Sequence, residues 1–63
     1  MADTHVEHLM KMVSLSNKAI QESRIAMETV NRKDLEFKLA LIGELLLKAH
    51  TETLEAVKSL SPK

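Results

Sequence analysis

The chain contains no cysteine, tryptophan or tyrosine, and only one phenylalanine, one glycine and one proline in 63 residues. Without cysteine there is neither a disulfide framework nor a thiolate metal site. Without tryptophan and tyrosine there is almost no aromatic surface on which bases of single-stranded nucleic acid could stack. So few glycines, prolines and aromatics also leave little from which to build strands and tight hairpins. Charge of one sign is missing too, since nine basic residues balance nine acidic ones. Such a chain has no overall field to steer it to nucleic acid or an anionic membrane, and neither partner is expected. Long hydrophobic runs are absent. Residues 39–47 form the most apolar stretch, but Glu44 interrupts it and Lys48 follows it. That is far short of the ~20 residues of a spanning helix. The polar opening Met1-Ala2-Asp3-Thr4-His5 has neither the basic nor the apolar region of a secretory signal, so a cytoplasmic location is expected.

What remains is rich in Ala, Leu, Lys, Glu and Met, which are strong helix formers. The expected fold is all-α, one domain over residues 1–63, arranged as an antiparallel two-helix hairpin. The first helix is expected over residues 4–31. Thr4 followed by Glu7 matches a capping box at its start. Val6, Leu9, Val13, Ser16, Ile20, Ser23, Met27 and Val30 recur at steps of three and four, which defines one helical seam.

The apolar phase then breaks and restarts at Leu35. The intervening Asn31-Arg32-Lys33-Asp34 reads as a turn over residues 31–34, with Asn31 ending one helix in the left-handed conformation and Asp34 capping the next. The alternative is a continuous rod of roughly 90 Å at 1.5 Å per residue. A second helix is expected over residues 34–60, stopping ahead of Pro62. Its seam runs through Leu35, Leu39, Ile42, Leu46, Ala49, Thr53, Ala56 and Leu60. Folding about Arg32 and Lys33 would set Val30 against Leu35, Met27 against Leu39 and Ile20 against Leu46, in pairs totalling about 65.

The second helix carries a further stripe at Ala40, Gly43, Leu47, His50, Leu54 and Val57. A two-helix hairpin would leave this stripe wet, at a cost of ~1.5–3 kcal/mol for each large side chain not buried. A chain this small rarely stabilises itself by more than ~3–5 kcal/mol. The stripe is therefore the expected dimer or partner interface, with a homodimeric four-helix bundle as the simplest outcome. Gly43 costs ~1 kcal/mol inside a helix and is expected where another helix comes close. Off the seams, Met10, Ile25, Phe37 and Leu41 are candidate contacts for a further protein partner.

Motifs with catalytic chemistry are scarce. His5 and His8 lie one turn apart near Asp3 and Glu7, but a zinc site needs three or four ligands with a supporting shell. Leu47 occupies the position three before His50, so the Glu-x-x-His of di-iron bundles is absent. Ser14, Ser16 and Ser23 have no partner base in sequence, and Ser16 and Ser23 read as small seam residues bonded back to helix carbonyls. Glu52 and Glu55 read as a solvated pair with nothing to shift their ionisation. No enzyme activity, metal or cofactor is expected. The expected function is that of a small regulatory or interaction protein, a helical homodimer that binds another protein.

This length and pattern of two amphipathic helices resembles the Rop family of short helical hairpins, which dimerise into four-helix bundles. That resemblance implies an RNA- or DNA-binding dimer as the alternative function. The candidate basic groups would be Lys11, Lys18, Arg24, Arg32 and Lys33, among which acidic residues are interleaved. A third possibility is a structural adaptor whose second helix receives a partner's helix.

Overall fold

A computed structural model describes residues 4–60. It consists of two helices, α1 (Thr4–Glu28) and α2 (Arg32–Leu60), packed along their lengths as a hairpin about 50 Å long. The fold class agrees with the expected all-α hairpin, whereas the turn and the facing seams differ from expectation.

The connection is Thr29-Val30-Asn31, two to three residues earlier than the expected turn. Asn31 is the reason. Its side-chain Oδ1 accepts a hydrogen bond from the backbone N–H of Asp34 at 3.0 Å, and its carbonyl accepts from the N–H of Leu35 at 2.9 Å. Asn31 therefore caps the start of α2. Asp34 is not the cap; it lies within the first turn, where its charge favours the helix dipole. A residue capping the second helix cannot also close the first in the left-handed conformation, and no described residue has a positive φ. Helix α1 instead ends by tightening. The N–H of Thr29 bonds the Ala26 carbonyl at 3.1 Å, and its hydroxyl bonds the Ile25 carbonyl at 2.8 Å. These bonds occupy carbonyls that the last turn leaves without helical donors. At the other end Thr4 is the first helical residue rather than the cap. The residues ahead of Thr4 lie outside the described residues, as do Ser61 and Pro62.

Moving the turn changes the register. His8 Nδ1 donates to Glu52 Oε1 at 2.6 Å, and Lys38 Nζ donates to Glu22 Oε1 at 2.8 Å. Both pairs join residues whose numbers total 60, about five fewer than a turn centred on Arg32 and Lys33 would give. The facing seam of α1 thereby rotates by one residue, to His5, His8, Met12, Leu15, Ala19, Glu22 and Ala26. On α2 it runs through Leu35, Lys38, Ile42, Leu45, Ala49, Glu52 and Ala56. All of these are buried or half-buried.

The core is made of small residues. Its buried members are Ala19, Ala26, Leu45, Ala49 and Ala56, with Ala19 only 3% exposed. In this register Ala19 falls opposite Ile42, and Met12 opposite Ala49. Small residues thus face larger ones, as close helix packing requires.

Candidate interaction surface

Fifteen large hydrophobic side chains are exposed among the described residues, against a single large one, Leu45, in the core. Twelve of them fall on two faces, and Met10, Ile25 and Phe37 lie off both. The first corrects the expected internal seam: Val6, Leu9, Val13, Ile20, Met27 and Val30 of α1 are all exposed, and so are Leu39, Leu46 and Leu60 of α2. Val30, expected against Leu35, is 98% exposed in the connection. These residues lie one position beyond the true seam on each helix. In an antiparallel hairpin that offset puts both sets on the same side. A shared groove confirms it, for Ser23, Ala26 and Met27 of α1 line it together with Leu35, Leu39 and Ile42 of α2.

At positions 9, 16, 23 and 30 of α1 and 39, 46, 53 and 60 of α2 this face carries no Asp, Glu, Lys or Arg, and Glu36 and His50, also one position beyond the seam, lie at its α2 edge. Its few hydroxyls are already bonded within their own helices. Ser23 Oγ donates to the Ala19 carbonyl at 2.7 Å and Thr53 Oγ1 to the Ala49 carbonyl at 3.0 Å. Ser16 Oγ approaches Met12 Sδ at 3.6 Å, a weaker contact. The two cross-hairpin ion pairs lie on the other side of the alanine seam, so this side is the more apolar of the two.

The second face is the outer stripe of α2. Ala40, Gly43, Leu47, His50, Leu54 and Val57 are all exposed, as expected of a stripe that α1 does not cover. A β-carbon added to Gly43 would meet nothing within 4 Å, so no close approach at Gly43 exists within the chain. Of the off-seam candidates, Met10, Ile25 and Phe37 are exposed, whereas Leu41 is half-buried. A shallow depression on α2 gathers Phe37, Ala40, Leu41, Gly43, Glu44 and Leu47, joining part of the stripe to two of those candidates.

Several polar residues have roles that sequence reading did not anticipate. Glu52, expected on a solvated strip, and Glu22 are half-buried and pair with His8 and Lys38 across the hairpin. The signal was present as opposite charges at seam positions, but it becomes legible only once the register is known. His8 is thus engaged in a helix–helix contact. Among the described residues, no group of three or more His, Asp or Glu could hold a metal ion. No described helix is long and apolar enough to cross a membrane. Comparison with family models, curated proteins and solved structures found no match.

Proposed function

We propose that this chain is a non-enzymatic interaction protein that works as a helical homodimer and binds another protein. The observation that supports the reading is the inverted distribution of side chains. Bulky apolar groups lie outside and alanines inside, although burying large side chains is the main stabilising term available to a chain of this size. Contiguous exposed apolar surface of this kind marks association sites. The outer stripe of α2, centred on Gly43, Leu47, His50 and Leu54, is the proposed contact for the second protein. It is one helix wide, which suits an amphipathic helix from a partner.

Nothing in the geometry favours the nucleic-acid reading. Of the candidate basic groups Arg32 pairs with Glu36 at 3.4 Å, and acidic residues are interleaved among the others. A pull-down from native lysate, run with and without nuclease, tests the function. A retained protein that resists nuclease and is lost with Leu47→Glu and Leu54→Glu is the expected result. Binding abolished by nuclease would contradict it.

A further inference from the structure

We infer that the second copy of the chain docks on the apolar side shared by both helices, and not on the outer stripe of α2. The inference rests on the homodimer reading above and identifies its interface. Three observations carry it.

The first is area. Each partner contributes roughly 800 Å² to a standard stable interface. A surface two helices wide and about 50 Å long can supply that area. A stripe on a single helix offers a narrower strip.

The second is chemistry. A two-fold interface brings a patch against its own copy, so any charge within it meets the same charge or is stripped of water without a partner. The shared side has no formal charge at positions 9, 16, 23, 30, 39, 46, 53 and 60, and Glu36 and His50 lie at its α2 edge. The hydroxyls of Ser23 and Thr53 are bonded to carbonyls of their own helices, so burying them leaves no orphaned donor. The outer stripe is bordered in addition by Glu44.

The third is continuity. Ala19, Ala26, Ala49 and Ala56 form a thin buried seam that opens directly onto this side through the groove lined by Met27, Leu39 and Ile42. A second hairpin laid over it would enclose that seam. The result is one four-helix core in which Ile20, Met27, Leu39 and Leu46 replace water contacts with one another.

Neighbouring residues of α2 separate the two faces. Leu46 is 52% exposed and faces the shared side, while Leu47 is 65% exposed and faces outward. Leu46→Glu and Leu47→Glu therefore introduce the same chemical change, at similar exposure, on different faces. In sedimentation equilibrium, Leu46→Glu is expected to weaken dimerisation at least about 100-fold, because it buries an unpaired carboxylate. Leu47→Glu is expected to leave it within about threefold, as for a surface substitution.

Leu46→Glu could act by unfolding the chain, so a second measurement uses the absence of cysteine. Alkylation of a single thiol at Ile20→Cys is expected to be at least about tenfold slower than at Leu47→Cys, because only the former is covered by the second copy. A monomeric wild-type chain would overturn both this inference and the homodimer reading. A dimer that survives Leu46→Glu, is dissociated by Leu47→Glu, or shows equal thiol reactivity at the two sites would overturn the inference alone.

Discussion

Asn31 decides where this chain turns, because one side chain and one carbonyl start α2 together. Replacing it by alanine removes the acceptor for the Asp34 N–H and is expected to cost about 1 kcal/mol. Thermal denaturation at fixed protein concentration would measure this as a lowered Tm. Ala19 tests the other local claim. It is almost fully enclosed, so Ala19→Leu should overpack the seam and destabilise by about 1–3 kcal/mol. An unchanged melting curve would show that the helices are not held closely together by alanines. Gly43 behaves in the opposite sense. Space around it is open, so Gly43→Ala should raise stability by up to about 1 kcal/mol through helix propensity. A loss of stability would mean that a helix of the second copy packs against Gly43.

At the scale of the elements, the register rests on the pairs His8–Glu52 and Glu22–Lys38. Each of Glu22→Lys and Lys38→Glu should destabilise by about 1 kcal/mol, since each sets like charges together at a half-buried position. The double exchange should restore most of that loss, as a double-mutant cycle by chemical denaturation would show. With pairs totalling 65, Lys38 would face Met27 and the two substitutions would simply add.

That contrast also shows what was legible in the chain. The presence of two helices, their lengths to within three residues and the surplus apolar surface all follow from periodicity. The phase of the facing seam does not. Alanine is a weak apolar signal beside Leu, Ile and Val, so Ala19, Ala26, Ala49 and Ala56 are overshadowed by the larger residues next to them. Glu22, Lys38 and Glu52 look like solvent-facing residues until each is seen opposite its counter-charge. Asn31 suits either end of a helix by residue type, and only its hydrogen bonds select the start of α2. The outer stripe of α2 was legible because its exposure does not depend on that one-residue rotation.

For the whole molecule, the proposed homodimer makes a hairpin with an alanine seam and its bulky groups outside half of a core. Folding and association should then be a single event. The Tm should rise with protein concentration, because a dimer's stability is inseparable from the amount of chain present. Sedimentation equilibrium of the unaltered chain at micromolar concentration tests this most directly. A helical species of twice the 7.1 kDa chain mass is the predicted result, with helicity lost as dilution drives it apart. A helical, cooperatively melting species that stays at 7.1 kDa at every concentration would contradict it.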